Sequence, residues 1–273
     1  MQAYKIFPTL LALPFAFVLL TNAGSSANRT ATPSAARYEF AAEQNAVLKT
    51  SLTWAFGGKK QRGWQLYQPL ICHLIGVEET ADAEEFAEAL SRWQRRAGLE
   101  SSGVLNQPTW TKMVAIWQSR RAYDHSLPVA DRLLRVGGEE FFHPERPEEL
   151  RQVERQTYQA YRKMMAAAAA ELSLNAASEN YLKIISAFRS PEYQRQLRRQ
   201  SPRAGRAGLA VNSPHFTGRA LDLYVGGEPV STRDGNRALQ TQTRVYRWLV
   251  KNAGRFGFIP YFYEPWHWEY QPQ

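Results

Sequence analysis

The chain is 273 residues long, 44% hydrophobic and 12% aromatic; that is room for two small domains that each bury a core, and a composition that excludes a disordered polymer. Lys and Arg total 34 against 25 Asp and Glu, a formal charge of +9, which favours anionic partners. No nucleic-acid-binding motif accompanies that charge, so an anionic cell envelope is expected rather than nucleic acid.

Residues 1–23 have the layout of a secretory signal: Lys5 supplies positive charge, Ile6 to Leu20 is almost wholly apolar, and Thr21-Asn22-Ala23 offers small residues for cleavage. The apolar run is short for a spanning helix, which needs about 20 residues, and Pro8 and Pro14 interrupt it. The rest of the chain is therefore expected to be exported to the periplasm or envelope, meeting a membrane only through this segment if it stays uncleaved. Residues 24–45 open with a stretch rich in Ser, Ala, Thr and Asn and are expected to be a flexible linker.

Residues 46–121 read as a helical module. Leu66 to Gly76 forms one helix, and Cys72, the only cysteine, lies on its apolar stripe as a core residue, which excludes an intrachain disulfide. Phe86, Leu90, Trp93 and Ala97 recur at helical spacing with Gly98 placed to end the helix. A third helix starts at Gln107-Pro108, and Trp110, Met113, Val114 and Trp117 form its stripe. With Trp93 to Leu99, Gly103-Val104-Leu105 and Thr109-Trp110, this segment is similar to the three-helix peptidoglycan-binding domain found beside many wall hydrolases. The resemblance implies affinity for wall glycan. The module holds no ligand candidates and is expected to be separable from the chemistry.

Pro128, Gly137-Gly138, Pro144 and Pro147 mark residues 122–146 as a linker; His125 and His143 within it lack partners at ligand spacing and read as surface residues. Residues 147–273 then form the second domain. Glu148 to Leu172 reads as a long helix with acidic residues in its first turn and a five-alanine run. Tyr181 to Phe188 reads as a buried strand that delivers Arg189 to a strand–helix junction. Ser190-Pro191-Glu192 has the cap, first-position proline and acidic first turn of a helix, with Gln194 one turn on. Arg219 to Val225 reads as a strand with Leu221, Leu223 and Val225 facing one way and Ala220, Asp222 and Tyr224 the other. Asn236 to Gly254 reads as the last long helix and Arg255 to Tyr263 as a strand-like aromatic segment. The fold expected is α+β: a small, mainly antiparallel sheet with helices on its covered side, plus the N-terminal three-helix module.

Two short windows carry the chemistry, Ser213 to Asp222 and Glu264 to Tyr270. His215, Asp222 and His267 form a ligand set that suits zinc, which takes imidazole nitrogen and carboxylate oxygen. Trp266, Trp268 and Tyr270 alternate with His267 and Glu269, so the tryptophans can wall a pocket or core while His267 points away. Pro265 favours a bend that brings the Glu264 carboxylate round to the metal.

The pattern Ser-x-His-x-x-Gly-x-Ala-x-Asp at 213–222, followed by Glu-Pro-Trp-His-Trp at 264–268, resembles the VanY-type D-alanyl-D-alanine carboxypeptidases, zinc peptidases of bacterial cell-wall metabolism with a zinc D,D-peptidase or hedgehog-like fold. Ser186-Ala-Phe-Arg189-Ser-Pro-Glu-Tyr-Gln194 is similar to the family's Ser-Gly-Tyr-Arg-Ser segment with its following Gln. Ala187 replaces the usual Gly, and Glu269 stands where a basic residue is common. The resemblance implies Zn2+ on His215, Asp222 and His267, Glu264 as catalytic base, and Arg189 as fixed charge for the substrate carboxylate or oxyanion. Ser213, Gln194 and Trp266 follow as substrate contacts. The implied function is removal of the C-terminal D-alanine from peptidoglycan stem peptides by a monomer. A stem-peptide endopeptidase of the same fold and a non-catalytic wall-binding protein are the alternatives.

Overall fold

The computed structural model describes residues 33–121, 125–174, 180–202 and 209–271. The expected signal at 1–23 lies outside the described residues, and among these no helix is long and apolar enough to cross a membrane.

The N-terminal half is built from α1 (Pro33–Ser51), the hairpin β1 (Thr53–Phe56) and β2 (Lys59–Arg62), α2 (Gln68–Ile75), α3 (Ala83–Arg96) and α4 (Gln107–Ser119). Three of these are the helices expected from the apolar stripes. Helix α1 corrects the expected linker over 24–45 from Pro33 onward: Ala35, Ala36, Ala41, Ala42 and Ala46 with Glu39, Glu43 and Gln44 are strong helix formers, and Ala41 is buried where α1 packs on α3. The hairpin turns at Gly57 and Gly58, both at positive φ, which suits a two-residue turn between antiparallel strands.

Buried amides tie the long loop after α3 to its neighbours. Asn45 Nδ2 donates to Gly103 O at 2.8 Å and its Oδ1 accepts from Leu105 N at 2.7 Å. Gln94 Nε2 donates to Val104 O and to Thr109 Oγ1, each at 2.9 Å, while its Oε1 accepts from Gly103 N at 2.8 Å.

The C-terminal half begins earlier than expected. Within the segment expected as a linker, β3 (Leu133–Arg135) pairs antiparallel with β4 (Gln152–Glu154), Val136 and Phe141 are buried, and Phe142 N donates to Ile184 O at 3.0 Å. The helix expected from Glu148 accordingly starts later, as α5 (Arg155–Leu172). Glu154 caps it by accepting from Thr157 N at 2.8 Å and Thr157 Oγ1 at 2.9 Å, so strand pairing and the cap override helix propensity before Arg155.

Next come β5 (Ile184–Ser186), α6 (Pro191–Gln200), β6 (Ala220–Leu223), α7 (Asp234–Gln242), α8 (Arg244–Asn252), β7 (Phe258–Pro260) and β8 (His267–Tyr270). The expected last long helix is two helices. Thr243 is extended between them (φ −67, ψ 146); its Oγ1 accepts from Tyr246 N at 3.1 Å and donates to Val225 O at 3.0 Å. A β-branched residue with a local acceptor favours a cap over a helix interior.

Strands β5-β6-β8-β7 form one four-stranded antiparallel sheet. Leu221, Leu223 and Trp268 are fully buried, and Trp268 meets Tyr246 of α8 with ring centroids 6.4 Å apart. One apolar core runs through both halves. Phe262 lies 4.8 Å from Phe56, 5.6 Å from Tyr67 and 5.7 Å from Trp117 by ring centroids. Arg237 of α7, fully buried, donates to Tyr67 Oη at 3.0 Å and Gln61 Oε1 at 3.1 Å, as well as to Asp234 and Tyr263 O of its own half.

Candidate active site

Sheet register assembles the site. Asp222 of β6 stands opposite His267 of β8 on one side and Ser186 of β5 on the other, and directly opposed side chains of an antiparallel pair come within contact distance. The two-residue period puts Glu269 on the same face as His267, with Trp268 on the core face.

His215 arrives from a short 3-10 turn, Pro214–Thr217, capped by Ser213, whose Oγ accepts from His215 N at 3.3 Å. Gly218 closes that turn at φ +68; its carbonyl accepts from Glu154 N at 3.1 Å, and a Cβ there would meet the same nitrogen at 3.1 Å. The glycine between His215 and Asp222 thus serves both a left-handed turn and the close approach of β4.

His215, Asp222 and His267 are buried, and one ligand atom from each lies within 4.8 Å of the others. His215 Nδ1 is 2.7 Å from Ala187 O. Donation from that nitrogen leaves Nε2 as the bare one, 3.3 Å from Asp222 Oδ2. For His267, Nδ1 is 2.9 Å from Asp222 Oδ1 and Nε2 is 3.2 Å from Glu269 Oε1. An imidazole that donates its outer N–H to a carbonyl or carboxylate and turns its other nitrogen inward is oriented as metal-binding histidines are.

Burial, then the Arg189 charge, pushes His215 down to about 4. Burial acts against the charge of Asp222, but His215 and Arg189 outweigh it and hold the carboxyl well below its usual range. His267 is opposed by burial in the same way, and its bonds to Asp222 and Glu269 raise it to about 9. Two buried imidazoles and an ionised carboxylate that converge in this way fit zinc.

All eight residues singled out in the sequence border one cavity of about 330 Å³: Arg189, Gln194, Ser213, His215, Asp222, Glu264, Trp266 and His267. The bend at Pro265 is present: His267 N donates to Glu264 O at 3.0 Å and Glu264 N to Tyr261 O at 3.1 Å. Glu264 is buried, its Oε1 has no hydrogen-bond partner among the described residues, and desolvation raises its carboxyl to about 8. A divalent cation on the neighbouring trio would draw that value down, since opposite charge favours the carboxylate.

Arg189 Nε donates to Ser186 Oγ at 2.8 Å and Nη2 to Asp222 Oδ2 at 2.5 Å, while Nη1 has, among the described residues, only a 3.5 Å contact with Gln194 Oε1. Gln194 Nε2 is engaged by Ala210 O at 2.8 Å.

Sequence reasoning missed Arg121, Arg146 and Tyr193, which border the same cavity as Tyr261 of the aromatic segment Arg255 to Tyr263. Tyr193 is one residue before Gln194 and was within reach of a motif reading; Arg121 and Arg146 carry no local signal. His143 is exposed beside Glu145 at 3.5 Å, and neither it nor His125 borders the cavity.

Residues 150–273 match the family model VanY, described as D-alanyl-D-alanine carboxypeptidase. No curated protein matches the chain. Among solved structures, one described as "Structure of the LdcB LD-carboxypeptidase reveals the molecular basis of peptidoglycan recognition" is similar at 23% identity and a TM-score of 0.38, over 53% of this chain and 69% of that one.

Proposed function

We propose that the chain, whose residues 150–273 match the VanY family model, is a zinc-dependent D,D-carboxypeptidase that removes the C-terminal D-alanine from peptidoglycan stem peptides in the cell envelope. The observation that carries the reading is the unpartnered, buried Oε1 of Glu264 beside the His215, Asp222 and His267 trio in one cavity. Buried carboxylate oxygens are almost always paired, and an orphan beside convergent ligands marks a group placed for proton transfer.

Zinc held by His215, Asp222 and His267 would supply Lewis-acid polarisation of the scissile carbonyl. Glu264 accepts the proton of the attacking water and returns it to the leaving amine. Arg189 is fixed by Ser186 and Asp222, which leaves Nη1 as its least committed nitrogen and the natural partner for a terminal carboxylate. Ser213 sets His215 through the capped turn, and Trp266 walls the cavity. The helical half, similar to a peptidoglycan-binding domain, is assigned to wall glycan.

The test compares a free-acid pentapeptide stem with its C-terminal amide. The reading expects release of one D-alanine from the acid and a large loss of kcat/KM on the amide, because Arg189 loses its ionic partner. Indifference to amidation, with cleavage inside the stem, would replace this reading with the endopeptidase one.

A further inference from the structure

We propose that Arg121 is a positioning residue for the metal site: by fixing Glu269 it fixes the ring of His267, so the helical half of the chain sets the metal affinity of the other. The inference rests on the zinc reading above.

Arg121 follows directly on helix α4 and its Arg120 cap. Its Nε and Nη2 both donate to Glu269 Oε1, at 2.9 and 2.5 Å, and that same oxygen is 3.2 Å from His267 Nε2. The guanidinium also lies 3.9 Å from the centroid of Tyr261, whose ring meets that of His267 edge-on at 5.8 Å. Arg121 thus bears on His267 by two routes, one through a carboxylate and one through an aromatic ring.

The Glu269 side chain is only 3% exposed. A carboxylate that deep needs partners to hold its aim, and the chain brings one of them from residue 121, across 148 positions of sequence. The arm is itself held, since Arg120 O accepts from Gln271 Nε2 at 2.5 Å and Trp117 stacks on Phe262. Carboxylates that orient a metal-binding histidine are worth about 10–100-fold in metal affinity.

The test measures zinc dissociation constants by chelator competition on the full chain. Arg121→Ala and Glu269→Ala should each weaken zinc about 10–100-fold, and Arg121→Ala placed in the Glu269→Ala background should add little, because both act on one ring. Arg121→Lys, which keeps the charge, should recover most of the affinity. A purely structural role predicts instead that the two losses multiply, and that result overturns the proposal, as does wild-type affinity in Arg121→Ala. Should Arg121→Ala not fold, Arg121→Gln against Arg121→Lys makes the same comparison, and equal affinities there overturn it. A wild-type chain that binds zinc while its Arg121 variants are unaffected removes this inference alone; a wild-type chain that binds none removes it together with the reading it rests on.

Discussion

The two halves bury polar groups in opposite ways. In the helical half Asn45 and Gln94 are closed in by backbone groups of one loop, with the amide oxygen and nitrogen of each engaged. In the sheet half Asp222, His267, Glu264 and Glu269 crowd one face, with values driven far from their ordinary range and one carboxylate oxygen left over. Polar groups that satisfy each other specify a fold; polar groups held away from their ordinary titration and left incomplete are poised for a ligand or a proton. Arg121 is where the two regimes meet.

The strongest way to break this comparison is at the leftover oxygen. Glu264→Gln keeps the shape and loses the base, so turnover should fall about 10²–10⁴-fold while zinc content stays at the wild-type level; unchanged turnover would move the base elsewhere. Next in size, Phe262→Ala removes the ring that Phe56, Tyr67 and Trp117 enclose. It should destabilise the whole chain by about 3–5 kcal/mol, with both halves melting in one transition by calorimetry. Two separate transitions would restore the separable module that the sequence suggests.

That module expectation shows what a sequence can and cannot carry. His215, Asp222, His267 and Glu264 were legible because the information is local: alternation along β6 and β8 and a bend at Pro265. Apolar stripes likewise placed α2, α3 and α4. Helix α1 was hidden because an alanine-rich stretch beside Ser and Thr reads equally as low complexity. Strand β2, Lys59-Lys60-Gln61-Arg62, has no apolar alternation to announce it, although Gly57-Gly58 offered a turn. Arg121 reaches Glu269 only once the fold is made, and no periodicity connects positions so far apart.

A smaller effect sharpens the contrast from the helical side. Asn45→Ala leaves Leu105 N and Gly103 O without their partners, costing about 1–3 kcal/mol of stability, with zinc affinity and kcat of the folded protein unchanged; lost zinc affinity would mean that the loop bears on the site. Smallest of all is the effect at Cys72, whose thiol burial pushes up to about 12. The reactive thiolate is scarce in the native state below that pH, so alkylation at pH 8 should be slow in the native protein and fast after denaturation. Rapid native labelling would show that α2 opens.

The central claim is that His215, Asp222 and His267 hold one zinc and that Glu264 works beside it without holding it. Zinc stoichiometry and D-alanine release, measured on the same chelator-stripped and zinc-reloaded preparations of wild type, His267→Ala and Glu264→Gln, test it directly. The account predicts about one zinc per chain in wild type and Glu264→Gln, little in His267→Ala, and release at the full rate only by reloaded wild type, with reloaded Glu264→Gln about 10²–10⁴-fold slower. Full zinc retention in His267→Ala, or zinc-free wild type that still releases D-alanine, would contradict it.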